Sequence, residues 1–362
     1  MPEIDALFDA LLAKKGSDLH LSVGYPPMFR VRGDLEPHGR TILTRESTEA
    51  LIYEIVDSER LSHFKETGDL DFAHAYEQKA RFRANYLMKT TGPGAVFRTI
   101  PTKILSATDL GLAPVLLNLC ERRSGLILVT GPTGSGKSTT LAALLSHINQ
   151  TRDGHILTIE DPVEFVHCPI RCQITHREVG IDTPSFQDAI RSAIREDADV
   201  ILVGELRGPE TMRLALQLAS FGVLVFATVH TNSATATIDR FVNAFSATQQ
   251  PQIRGMLADS LAGIVAQQLL KRADGTGRLA VHEILIGTTA VSSTIRESKT
   301  MMIPSLIQSG AQLGMQSMDA APERLVRENL VTPRDAFEKA LDKESFAKVP
   351  VIAAGLNQGP AA

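Results

Sequence analysis

Eight consecutive residues, Gly131, Pro132, Thr133, Gly134, Ser135, Gly136, Lys137 and Ser138, carry the clearest chemistry in the chain. Their spacing is G-x-x-x-x-G-K-S. A strand-like apolar run at 125–130 precedes them and a helix-like run at 139–145 follows. That context is the one a phosphate-cradling loop requires. Glycine lets the backbone wrap around anionic oxygens with its N–H groups turned inward, in part at positive φ. The helix that follows adds its positive N-terminal end. Gly131, Thr133, Gly134, Ser135, Gly136, Lys137, Ser138 and Thr139 are therefore the expected phosphate-binding set. Lys137 is expected to reach the outer phosphates of a triphosphate and Ser138 to hold Mg²⁺.

Acids belong beside such a loop. The run 199–205 is an apolar strand ending in Glu205. A carboxylate at the C-terminal edge of a buried parallel strand is expected to lie beside the phosphate loop. There it holds Mg²⁺ through water or orients the attacking water. A second apolar run, from Ile156, ends in Glu160, Asp161 and Glu164, enough acid to position metal and water as well as phosphate; which acid matters stays open. His230 follows a third apolar run and either senses the γ-phosphate, couples the site to a neighbour, or is structural. Arg81, Arg83 and Arg98 lie on neighbouring strand-like runs. Guanidinium groups suit bidentate phosphate contact, and a solvated strand face is the alternative. His167, Cys168, Cys172 and His176 invite a zinc reading. The Cys-x-x-x-Cys spacing with Pro169 inside fits it poorly, so they read as ordinary loop and strand residues.

These groups need a scaffold of ordinary globular composition. The chain has 362 residues, 43% hydrophobic and 22% charged, which suggests two domains, possibly three. A net charge of −4 offers no basic surface for nucleic acid. Three cysteines suit a reducing cytosol. The acidic start lacks the basic and apolar parts of a signal peptide. The longest apolar stretch, 214–229, contains Gln217, Ser220 and Gly222 and splits into a helix end and a strand. Direct membrane insertion is not expected, and any membrane association is through a partner.

Residues 1–100 read as a small α+β domain: a helix at 4–15, strands at 18–23 and 28–32, a helix over 44–63, then strands at 70–74, 80–86 and 94–98. A linker is expected at 101–112. From 113 to 347 the pattern becomes α/β, the sign of a mostly parallel sheet wrapped by helices. Strands are expected at 125–130, 155–159, 200–203, 224–228 and 279–285, and helices at 138–150, 185–196 and 209–220. The part after 238 reads as mainly helical, including one long helix over 251–270. Residues 348–362 read as a disordered tail.

Several stretches together resemble the PilT-like secretion ATPases that retract type IV pili, part of the type II/IV secretion ATPase superfamily. In the first domain they are 17–21, 81–83 and 96–101; in the second, the glycine-rich loop, 156–165, 195–205 and 228–234; and farther on, 314–319. The resemblance implies a PAS-like N-terminal domain and a RecA-like ATPase domain in a hexameric ring. ATP and Mg²⁺ would sit between the two domains, faced by Arg81, Arg83 and Arg98. It likens 160–164 to the family's acidic box, Glu205 to its catalytic glutamate and His230 to the second histidine of its histidine box. The implied partners are other copies of the chain, an inner-membrane pilus platform protein and paralogous pilus ATPases, at the cytoplasmic face of that membrane. Three stretches depart from the family pattern: Val223 replaces a histidine, Gly208 an aspartate, and 290–296 is an eroded late signature. Read as polar groups lost near the site, they bear on turnover and coupling. An accessory PilU-like subunit and a weakly hydrolysing regulatory ring are the other readings.

Overall fold

Alternation of apolar and polar residues builds the first sheet. The computed structural model describes residues 2–31, 33–77, 79–100 and 103–356. Strands β1 (Asp18–Ser22), β2 (Met28–Val31), β3 (Asp34–Pro37), β4 (Asp69–Tyr76), β5 (Ala80–Lys89) and β6 (Gly92–Ile100) form an antiparallel sheet of order β3-β2-β1-β6-β5-β4. In β5, Phe82, Ala84 and Tyr86 are buried while Arg81, Arg83 and Asn85 take the other face. Phe8, from the helix Ile4–Ala13, stacks on Phe82 at 4.2 Å and meets Phe97 edge-on at 5.2 Å. The buried Tyr86 hydroxyl donates to the carbonyl of Ile52 at 2.6 Å.

Two local features differ from the expectation. The single helix over 44–63 is two helices, Arg45–Tyr53 and Ser58–Thr67. Thr44 and Ser47 form a capping box on the first, and Asp57 starts the second by accepting from the Arg60 amide at 2.9 Å. Strand β3 was not expected, being four residues of mostly exposed edge with no alternation to mark it.

In the second unit the strands are β7 (Gly125–Thr130), β8 (Gly154–Glu160), β9 (Cys172–Glu178), β10 (Val200–Val203), β11 (Leu224–Val229), β12 (Leu261–Lys271) and β13 (Arg278–Ile286). Their order is β13-β12-β7-β11-β10-β8-β9, parallel throughout except for the β12–β13 pair. This is the RecA-like arrangement. Strands β7, β10 and β11 are buried along their whole lengths, as parallel strands covered by helices on both faces must be.

The expected helix over 251–270 is instead the helix Gln250–Ser260 followed directly by β12. A strand buried on both faces shows a continuous apolar run rather than alternation, so its period could not separate it from the helix before it. Strand β9, polar and at the sheet edge, was likewise not expected. The expected disordered tail is helical at Pro350–Leu356, with Ile352 buried; residues 357–362 lie outside those described. Of the expected linker, 101 and 102 also lie outside them. Ala107 and Leu112 are buried in one cluster with Leu116.

The chain divides into two compact units: Met1–Lys103 with Pro162–Val166, and Ile104–Asp161 with His167–Ala362. The sequence has no Trp and its tyrosines, 25, 53, 76 and 86, all fall in the first unit. Tyrosine fluorescence therefore follows that unit alone during denaturation. Phe8→Ala should lower its unfolding free energy by about 3–5 kcal/mol, the usual range for emptying a buried phenylalanine site.

Candidate functional site

Strand β7 delivers the chain into a loop where Gly131, Gly134 and Gly136 have φ of +148°, +77° and +86°. A Cβ at Gly131 would lie 2.3 Å from the backbone oxygen of Gln267 and 2.6 Å from Ser135 Oγ. At Gly134 it would meet nothing within 4 Å. The helix Lys137–Thr151 starts immediately after Gly136. Lys137, Ser138 and Thr139 thus sit in the first turn, where backbone N–H groups have no carbonyl within the helix to bond. The Lys137 side chain is buried, and its ammonium donates to the carbonyls of Gly131 (2.9 Å) and Pro132 (3.2 Å). Ser135 is turned inward: its amide donates to Pro132 O at 3.2 Å and its carbonyl accepts from Gln267 Nε2 at 2.7 Å.

Glu205 follows β10 and is gripped by its neighbours on both sides. The Gly204 amide donates to Ile159 O (2.8 Å) and the Leu206 amide to Thr228 O (2.9 Å), while the Thr228 hydroxyl donates to Gly204 O. The Glu205 carboxylate lies 3.3 Å from His230 Nε2 and accepts from Arg207 Nε at 3.0 Å. The acid is three-quarters buried, so these contacts are only partly screened by water. Glu205 is not on the strand next to the loop's own strand, because β11 lies between β7 and β10. Two strand spacings are about 10 Å, and the Thr228–His230 backbone occupies the interval. Thr130, the last residue before the loop, ties that segment down. Its hydroxyl donates to Thr231 O at 2.6 Å and accepts from the Thr231 amide at 2.9 Å.

Glu160 ends β8, the other neighbour of β10, and its Cα lies 3.3 Å from where a Gly204 Cβ would be. The structure thus brings Glu205, His230 and Glu160 to adjacent strand ends. Glu164 lies in Pro162–Val166, which groups with the first unit. Arg81, Arg83 and Arg98 share the polar face of the first sheet, Arg83 directly opposite Arg98. Arg81 donates to Val163 O at 3.4 Å, Arg83 is exposed, and Arg98 donates to Asp18 at 2.8 Å. Burial works against the Asp18 carboxylate, but the Ser17 hydroxyl and Arg98 outweigh it and hold the group below its ordinary value. Cys172 is buried and Cys168 exposed, and His176 bonds Thr158 Oγ1 (2.8 Å) and the His167 amide (3.1 Å).

The departures from the family pattern look different in place. Val223 sits just before the first residue of β11, at the opposite end from His230, roughly 20 Å away at strand rise. It packs against the core, so a polar group lost there is not lost beside Glu205. Gly208 is the N-cap of the helix Pro209–Ser220, where the Thr211 hydroxyl donates to its carbonyl. What is missing at 208 is a capping side chain. Residues 290–296 lie within the helix Thr289–Arg296, with Val291 and Ile295 buried and Arg296 paired with Asp259.

Sequence reading missed Gln267, on β12 and almost wholly buried. Its Oε1 accepts from Thr140 Oγ1 at 2.8 Å and lies 3.2 Å from His282 Nε2. The signal was there, a glutamine within a buried apolar run, but the run was taken for helix. Burial pushes the His282 imidazole down to about 4, so it stands neutral.

A profile of the type II/IV secretion system protein family matches residues 2–332. The chain belongs to that family of secretion and pilus ATPases. It is 49% identical to the type IV pilus retraction ATPase PilT of Pseudomonas aeruginosa over 93% of this chain and 98% of that one. Identity to the type IV pilus ATPase PilU of the same organism is 36%, over 93% and 88% respectively. A crystal structure of the pilus retraction motor PilT with bound ADP superposes with a TM-score of 0.88 at 41% identity, covering 94% of this chain and 98% of that one.

Two outcomes follow from this geometry. Gly131→Ala should destabilise the chain more than Gly134→Ala, which bears only the left-handed backbone cost of about 1–2 kcal/mol; circular dichroism melts give the order. An unfolded histidine takes a proton near 6.5 and His282 only near 4. Between those values the unfolded chain binds more protons, so stability falls as pH falls, by about 1.4 kcal/mol per unit from this group. His282→Gln should flatten that slope in denaturation series run across the window.

Proposed function

We propose that this chain is a Mg²⁺-dependent ATP hydrolase that works as a homo-hexameric ring and powers retraction of type IV pili. The observation that carries the reading is the contact of Glu205 with His230 at strand ends tied by Thr130 and Thr231 to the start of the glycine-rich loop. Similarity to a named retraction ATPase along nearly the whole chain supports the biological role.

In this reading the backbone N–H groups of 133–139 and the Lys137 ammonium take the phosphate oxygens. An anionic oxygen is a stronger partner for an ammonium than a neutral carbonyl such as those of Gly131 and Pro132. Glu205 orients a water and accepts its proton as the water oxygen bonds to the γ-phosphorus. The bond from that phosphorus to the bridging oxygen breaks, leaving ADP and phosphate. His230 holds the carboxylate in position through their mutual contact. Ser138 and Glu205 are the residues that would hold Mg²⁺, a metal that keeps most of its water and phosphate ligands and so asks for few protein groups. Bound there, the metal would offset negative charge on the phosphate oxygens. Glu160 and Glu164 are assigned supporting roles around metal and water, and Arg81, Arg83 and Arg98 contact with phosphate. Arg98 also donates to Asp18.

Among the described residues no helix is long and apolar enough to cross a membrane. The proposed ring is cytoplasmic and acts on a platform protein of the inner membrane at the pilus base, with paralogous pilus ATPases as further partners. The accessory reading draws on the similarity to PilU, which is lower than that to PilT over the same share of this chain.

Lys137→Ala and Glu205→Ala should each cut phosphate release from Mg²⁺-ATP by at least about 100-fold, the scale of losing one transition-state contact. Glu205→Ala should keep nucleotide binding. A purified wild-type ring that releases no phosphate would sink the motor reading. Cells lacking the chain should extend pili without retracting them, and unchanged twitching would favour the accessory role.

A further inference from the structure

One buried side chain, Gln267, bonds the glycine-rich loop from beneath. Gln267 Nε2 donates to Ser135 O at 2.7 Å, and its oxygen faces Thr140 Oγ1 and His282 Nε2. The orientation of this carboxamide is forced. Ser135 O can only accept, so nitrogen must face it, and the oxygen must face the two groups able to donate. Gln267 also sets the space around the loop, through its side chain at Gly136 and its backbone oxygen at Gly131. A Cβ at Gly136 would lie 2.9 Å from Gln267 Nε2, and one at Gly131 would lie 2.3 Å from Gln267 O.

A trans peptide is planar, with its C=O and N–H pointing in opposite directions. Fixing the Ser135 carbonyl toward Gln267 therefore aims the Gly136 N–H the opposite way, away from the floor. Without that tie the Ser135–Gly136 peptide would be free to turn over, since Gly136 has no Cβ to oppose a change in φ. We propose that Gln267 is a positioning residue that locks this peptide plane and so presents the Gly136 N–H to a bound phosphate. Thr140 and His282, themselves buried, hold the carboxamide in the locking rotamer. The nucleotide part of this proposal rests on the phosphate-binding reading of the loop; the lock itself does not.

The deciding variant is Gln267→Met, which keeps the length and apolar bulk of the side chain and removes only its donor and acceptor. Thr140→Val is the control for loss of a buried hydrogen bond that leaves the Ser135 contact in place. Both should melt within a few degrees of each other. Gln267→Met should weaken ADP binding by calorimetry about tenfold and raise KM for ATP with a smaller change in kcat, because an N–H that contacts phosphate before and during reaction contributes uniform binding. Thr140→Val should stay within about twofold of wild type, because His282 still faces the carboxamide oxygen and the Gln267–Ser135 bond is kept. Ligand-free crystal structures supply the arm that needs no nucleotide: the Ser135–Gly136 peptide should be reversed or split between two orientations in Gln267→Met and single in wild type. An unchanged peptide, or wild-type ADP affinity in the folded variant, overturns the proposal. If wild type itself binds no ADP, the phosphate-binding reading fails and the crystallographic comparison decides the lock.

Discussion

The register of three parallel strands governs the site. Strands β7, β11 and β10 are buried on both faces, so every backbone N–H and C=O along them must be satisfied by its neighbour. Val229 pairs with Thr130, and Ala227 with Val203. A slip of one residue would leave polar backbone groups buried without partners and separate Glu205 from His230. The chemistry at the strand ends is thus aligned by the apolar stretches behind it, which touch no substrate. The Thr130–Thr231 and Thr228–Gly204 contacts finish the alignment just beyond the last strand residues, where ladder hydrogen bonding stops.

Much of this was legible from residue order. The loop motif, the three apolar runs ending in Glu160, Glu205 and His230, and the alternation of β5 and β6 each express a local rule. Long-range pairing was less visible. No local pattern shows that β11 lies between the strands of Lys137 and Glu205, because strand order is decided by crossovers rather than by the strands. Strand β12 was hidden for a related reason: burial on both faces removes the period by which strand and helix are told apart, and with it went the meaning of Gln267. The inward turn of Ser135 was equally out of reach, since it depends on a partner 132 residues away.

The departures from the family pattern show how position changes the meaning of a substitution. Val223 and Gly208 both read in the sequence as polar groups lost near the site. One begins a strand whose other end carries His230, and the other caps a helix with help from Thr211. Each bears on how firmly an element is held, while Lys137 and the Glu205–His230 contact are intact. In the first unit the polar sheet face keeps its arginines close together, and Asp18 offsets part of that charge by its bond to Arg98.

The floor beneath the loop has an evolutionary consequence. Gly131 and Gly136 lack room for a side chain because Gln267 fills the space behind them, whatever lies in front. Selection for a foldable loop is enough to keep both glycines in a descendant that has stopped turning over nucleotide. A glycine pattern of this kind therefore records the architecture of a lineage and is a poor gauge of its activity. The residues free to drift once hydrolysis is no longer required are the ones that fold without help from their charge, and Glu205 is the first place to look for that drift.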